Sequence, residues 1–356
     1  MSLGKHAVLV IVALVAFAVC VALYIRFTKT PTNVAYVSEE DGGISVIDLN
    51  TLKVVKRVHP KNVAPRGIAV TFDGDYLFTA NKDTADATVF KTRGMSLLKR
   101  IQVGDNPEFV KIGPSGKWIY TSFEPGSTGG PPSEAEEEGE SSQNEPPAEI
   151  VAFNTGDWSR GKSFTAGQET EGIAFSADGE QLIVANEAQN TLGVYDVETG
   201  ALSKEVNLLS YGRRPRGVKL APQGDRYAVT MEGSGTLLLL DDKFNVIKSV
   251  STAAKPYGVA FDRQGKRIFV AAAAAHEFQV YSADSLQLLG ETPVGKRCWH
   301  FTFTPDDSKI LLACGRSNNV YVIDAKSYKP ITEIGGFQTP WGIITYPRAY
   351  GSLGLP

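Results

Sequence analysis

The stretch that decides the fold is Pro215-Arg216-Gly217-Val218-Lys219-Leu220-Ala221-Pro222-Gln223-Gly224-Asp225-Arg226-Tyr227-Ala228-Val229-Thr230. It reads as an apolar strand, a turn closed by Gly224, and a second strand running back. The same phrase recurs along the chain. Pro65-Arg66-Gly67-Ile68 leads through Asp73-Gly74 to Tyr76-Leu77-Phe78-Thr79, and Pro107-Glu108-Phe109-Val110 through Ser115-Gly116 to Trp118-Ile119-Tyr120-Thr121. Glu171-Gly172-Ile173, Pro256-Tyr257-Gly258-Val259 and Trp299-His300-Phe301 open three further copies, and Pro340-Trp341-Gly342-Ile343 opens one with no second strand after it.

With Gly67, Phe109, Gly172, Gly217, Gly258, His300 and Gly342 taken as equivalent, the spacings are 42, 63, 45, 41, 42 and 42 residues. A period near forty with about four short strands per unit predicts an all-β, seven-bladed β-propeller with four-stranded blades. Val34 to Val37, Gly43 to Asp48 and Lys53 to Val58 read as second, third and fourth strands lacking a first. The orphan strand at Pro340 supplies it. The ring is therefore expected to close by three strands from one end of the chain and one from the other, leaving no open sheet edge. The expected organisation is an N-terminal anchor and linker over 1–30, the propeller over 31–347, and a tail over 348–356.

Ala7 to Ile25 is a run of nineteen residues without a charge, long enough to cross a bilayer as one helix. No convincing cleavage site follows it, which favours an uncleaved anchor over a cleaved signal or a lipoprotein signal. Lys5 on one side and Arg26 with Lys29 on the other leave its orientation unset. A formal net charge of −3 offers no general attraction to nucleic acid.

The spacing of 63 marks an insertion, Glu124 to Glu149, between a second and a third strand. It holds eight glutamates and no Lys or Arg. Nothing apolar in it offsets the entropy of ordering, so it is expected to be disordered.

Strand directions place the fourth-to-first and second-to-third loops on one face and the Asp-Gly turns on the other. The start of each first strand lies nearest the central channel. Round the ring that position holds Arg66, Glu108, Glu171, Arg216, Tyr257, Trp299 and Trp341. Four charged residues are followed by three aromatics, a mouth fit for a small planar or anionic ligand or for a protein partner. The plainer reading is that the charges neutralise each other at blade junctions and the aromatics are core. His300, beside Trp299, replaces the usual Gly. In the simplest hairpin register residue 299 opposes Cys314, so a Cys298–Cys314 disulfide, or a metal site with His300, needs a bulge. No metal site is assigned, and no catalytic residue. The chain lacks Cys-x-x-Cys-His, Gly-x-Ser-x-Gly, a phosphate-binding loop and His-Glu-x-x-His.

The repeated phrase resembles the YVTN family of propeller repeats. Val320-Tyr321-Val322-Ile323-Asp324 and Ile44-Ser45-Val46-Ile47-Asp48 keep its third-strand wording. Trp299-His300-Phe301-Thr302-Phe303-Thr304-Pro305-Asp306 and Pro340-Trp341-Gly342 look closest to a bacterial branch associated with PQQ-dependent catabolism. That resemblance implies export from the cytoplasm. The expectation is a single-pass protein of the bacterial inner membrane with its propeller in the periplasm. It would act as a non-enzymatic binding or scaffold module for a periplasmic redox or dehydrogenase system. The alternatives are a lactonase-like hydrolase with a metal in the funnel, and a carrier of a planar cofactor, haem or PQQ.

Overall fold

The computed structural model describes residues 31–125 and 146–355. The expected membrane helix lies outside them. Among the described residues no helix is long and apolar enough to cross a membrane. They form seven four-stranded antiparallel sheets in which each strand hydrogen-bonds its sequence neighbour, the pattern of a seven-bladed propeller. One sheet differs: its innermost strand, Pro340–Tyr346, lies beside Val34–Glu39, so one blade contains both ends of the propeller. The innermost strands of the blades are Pro65–Val70, Val110–Ile112, Thr170–Phe175, Pro215–Leu220, Pro256–Phe261, Cys298–Phe303 and Pro340–Tyr346.

Inner strands are buried on both faces because each blade packs between two others. Fourth strands such as Ser96–Gln102 and Leu202–Asn207 are largely exposed at the rim. This accounts for the near-continuous apolar runs of the inner strands and the polar content of the outer ones.

The recurrent Gly has a specific cause. A Cβ at Gly67 would stand 2.3 Å from the Glu108 carbonyl oxygen, and at Gly172 2.3 Å from that of Arg216. At Gly217 and Gly258 the same contact is with Tyr257 and Trp299. Each blade thus leans on the backbone of the next at this point. Most first strands also carry a bulge here, as between Pro65 and Ile68 and between Pro215 and Val218. A bulge adds one residue to a strand and re-aims its side chains. It turns Arg66 and Arg216 toward charged neighbours.

The sixth blade has its bulge between Cys298 and His300, so Cys298 opposes Cys314 directly and the two form a disulfide. Both ends of the acidic stretch belong to the fold, which corrects its expected extent. Glu124 accepts a hydrogen bond from Asn106, and Glu149 begins the strand Glu149–Asn154. Only 126–145 lies outside the described residues.

Candidate functional site: the channel mouth

The charged residues expected at the mouth are brought together, and they are buried in one ion network. Arg66 pairs with Glu40 at 2.5 Å and with Glu108 at 2.9 Å. Arg216 pairs with Glu171 at 2.6 Å, Glu232 at 2.6 Å and Glu187 at 3.3 Å. Arg214 reaches Glu187 at 2.5 Å and Glu169 at 3.3 Å. Burial alone would weaken the charge on Arg216, but Glu171, Glu187 and Glu232 outweigh it and hold the guanidinium firmly protonated.

With Glu124, whose carboxyl feels Glu108, the network counts seven glutamates. Several of these carboxyls are pushed toward the protonated form. Burial, then repulsion from Glu108, pushes Glu124 up to about 8. Burial raises Glu187 to about 7 against the pull of Arg216. Burial likewise keeps Glu171 well above the usual carboxylate range. One Glu171 oxygen, Oε2, is buried with no hydrogen-bond partner.

Five of these glutamates were missed from sequence because only first-strand starts were compared, and four of the five share one position. The residue just after each second strand forms its own ring: Glu40, Lys82, Glu124, Glu187, Glu232, Ala273 and Gly315. The two rings match. Glutamate shares a blade with Glu108, Glu171 and Arg216, and Ala273 and Gly315 stand beside Tyr257 and Trp299. Glu40, in the blade of Trp341, reaches across to Arg66, whose own blade has Lys82. A Cβ at Gly315 would lie 1.8 Å from the Trp299 ring, so the missing side chain makes room for the indole.

The aromatic arc does not open to the mouth as flat faces, which corrects that expectation. Tyr257 and Trp341 are buried, and Trp299 is half-buried. His300 is their common centre. Its ring lies 5.3 Å from Tyr257, 5.4 Å from Phe109 and 4.4 Å from Trp341. Edge-on packing of this kind suits ring quadrupoles. Arg216 lies 4.3 Å over the Tyr257 ring and joins the two arcs. Burial, reinforced by Arg216, holds the His300 imidazole neutral. Its Nδ1 meets Ser352 Oγ at 3.0 Å, and its Nε2 has no partner.

Ser352 belongs to the tail, which fills the channel from the opposite face. Tyr346 Oη donates to the Asp73 carbonyl at the Asp-Gly turns, and the chain then turns inward. Tyr350 accepts from Phe303 N–H, and Ser352 N–H donates to Phe301. Between His300, Ser352 and the strand glycines the enclosed space leaves about 10 Å³ for the centre of a water-sized sphere. That is room for one water. No planar cofactor fits in that space. Among the described residues no three His, Cys, Asp or Glu side chains converge to hold a metal ion. The larger open space is a cleft of 890 Å³ on the mouth face, lined by Glu40, Asp41, Asp83 and His59 among others.

Comparison with known proteins agrees with the fold. Residues 150–243 match the family model described as lactonase, 7-bladed beta-propeller. No curated protein matches the chain. A protein of unknown function from Desulfotomaculum acetoxidans superposes with a TM-score of 0.73 at 14% identity, covering 88% of this chain and 98% of that one. Kuenenia stuttgartiensis hydrazine synthase gives 0.67 at 20% identity over 83% and 93%. The periplasmic gluconolactonase of Pseudomonas aeruginosa gives 0.69 at 15% identity over 90% and 99%. Likeness at these identities extends to the architecture alone, and the chain is a seven-bladed β-propeller similar to all three.

Proposed function

We propose that the protein is a non-enzymatic binding propeller, tethered by residues 7–25 to a bacterial inner membrane, that holds a basic protein partner against its mouth face in the periplasm. The observation that carries this reading is the charge at one cleft of that face. Its arginines are already taken by glutamates, and the open cleft beside them is lined by Glu40, Asp41 and Asp83. Such a surface attracts a cation more than the anion that Arg66 and Arg216 suggest when read alone. The Cys298–Cys314 disulfide supports an oxidising compartment. The resemblance to exported propellers supports a role beside a periplasmic redox or dehydrogenase system. The test is co-purification of the full-length protein from its source membrane, with Asp41→Lys and Asp83→Lys combined as the variant. Both side chains are exposed, so the variant should fold. Loss of the captured partner supports the reading, and undiminished capture overturns it.

A lactone hydrolase is the second reading, favoured by one observation. The residues matching the lactonase family model include Glu171, Glu187, Arg214, Arg216 and Glu232, the densest part of the network. A buried carboxyl near neutral pKa can serve as a general base. Opening of a sugar lactone faster than its spontaneous rate, and lost in Glu187→Gln, would support this reading over the first.

A further inference from the structure

Two strand positions beyond the recurrent Gly the ring reads Ala69, Lys111, Ala174, Lys219, Ala260, Thr302 and Ile344. Five of the seven are uncharged. Lys111 and Lys219, on the second and fourth blades, meet in the channel below the His300 cluster. Their ammonium groups donate to one oxygen, the Gly354 carbonyl of the tail, at 2.7 and 3.1 Å. Sharing one acceptor holds the two nitrogens within about 6 Å, where like charges in a low-dielectric interior repel by several kcal/mol. Lys219 is 1% exposed and Lys111 8%. Among the described residues the charged groups acting on them are each other and Arg348, all cations. One neutral carbonyl does not balance two buried ammonium groups. A buried charge is ordinarily paired or gives up its proton. Burial, before any other cause, pulls Lys111 down to about 8 and Lys219 further.

We propose that Lys111 and Lys219 form a binding site for a small oxyanion, inorganic phosphate or a carboxylate, on the floor of the channel. The Gly354 carbonyl occupies the place of the anion when none is bound. Two lysine Nζ atoms flanking one oxygen have the arrangement that bridges an oxyanion, whose charge draws protons onto them as it binds, with Arg348 adding charge from the tail. The Gly354 carbonyl already fills the position between the two Nζ atoms, so an anion held by both has to take its place. Binding therefore displaces the turn at Gly354 and breaks the bond from Leu355 N–H to the Ala349 carbonyl. This site is independent of the acid-lined cleft on the mouth face, which lies at the other end of the channel.

The test uses the full-length, detergent-extracted protein in equilibrium dialysis against phosphate and, separately, acetate, with chloride holding ionic strength constant. Saturable binding of one anion per chain is expected. Lys111→Met and Lys219→Met should each weaken it at least tenfold, whereas Lys99→Met, on an exposed outer strand, should not. Tighter phosphate than acetate binding would identify a phosphate site, and the reverse a carboxylate site. Amide exchange over 348–355 should quicken when the anion binds. The proposal is overturned if the wild-type protein binds neither anion saturably, or if both channel variants bind as well as wild type. Should one variant fail to fold, the other carries the comparison. If neither folds, exchange in the wild-type tail decides: tail amides that do not respond to either anion overturn the proposal.

Discussion

At the start of the innermost strand the third and fourth blades place Glu171 and Arg216, and the fifth and sixth place Tyr257 and Trp299. The backbone around all four is the same. The Gly beside each of the first three lies against the next blade in the same way, at 2.3 Å for Gly172, 2.6 Å for Gly217 and 2.5 Å for Gly258 from a Cβ to a carbonyl oxygen. What differs is the residue that meets them from the end of the second strand. On the charged side it is Glu187 or Glu232, and on the aromatic side Ala273 or Gly315. One arc closes the channel with ion pairs and the other with rings. The ion pairs depend on partners from several blades, so their charge responds to pH and to ligands. The rings depend on volume, and burial leaves their centre, His300, uncharged. Function that involves charge belongs on the first arc, and rigidity on the second.

The comparison breaks most sharply at Arg216. Arg216→Met leaves Glu171, Glu187 and Glu232 without their shared cation. Breaking a buried pair by removing one partner costs about 3–5 kcal/mol. Chemical denaturation should show a loss of that size, partly restored when Glu171→Gln is added. A loss below about 1 kcal/mol, the scale of an exposed ion pair, would show that the network is solvated.

On the aromatic side the next largest effect is expected from the disulfide. Cys298→Ala with Cys314→Ala opens a link spanning 16 residues. A loop of that length corresponds to about 3 kcal/mol. Unfolding of the oxidised wild type beside the double variant measures it, and equal midpoints would mean that the thiols are not joined in the isolated protein.

Gly172→Ala and Gly258→Ala probe what the arcs share. Overpacking of this kind costs about 1–3 kcal/mol. The two losses should be equal within experimental scatter. A large loss at Gly172 alone would mean that the charged arc is the stiffer one, reversing the contrast drawn above.

The smallest effect is a slope. The folded pKa of Glu124, about 8, lies above the ordinary value, so the native state keeps a proton that the unfolded chain releases. The sign follows: this contribution is full below the ordinary carboxyl pKa and fades as pH rises through 8. Stability measured from pH 5 to 9 should fall with rising pH, and Glu124→Gln should flatten the fall. An unchanged slope in the variant would place the responsible carboxyl elsewhere in the network, with Glu187 next.

Part of this site is legible in the chain because repetition makes positions comparable. Reading one column of the repeat finds Arg66, Glu108, Glu171 and Arg216 as charged and Tyr257, Trp299 and Trp341 as aromatic. Further partners stand in another column, at the end of the second strand, and finding them needed the same comparison. The orientation of the rings was not legible in any column. Tyr257 and Trp341 turn onto His300 because it and Phe109 are larger than the Gly that the other blades have at that position.

By itself the sequence determined the repeat, its period near forty, the seven copies and the residue types around the mouth. Those features are local: strand alternation, Gly where two backbones touch, and Asp-Gly where a hairpin turns. Tertiary structure alone decided that a bulge brings Cys298 opposite Cys314, that Glu40 meets Arg66, and that the tail enters the channel so that Gly354 stands between Lys111 and Lys219. These contacts join residues up to 243 positions apart. Periodicity says which positions are alike, but only the packed ring brings different positions within bonding distance.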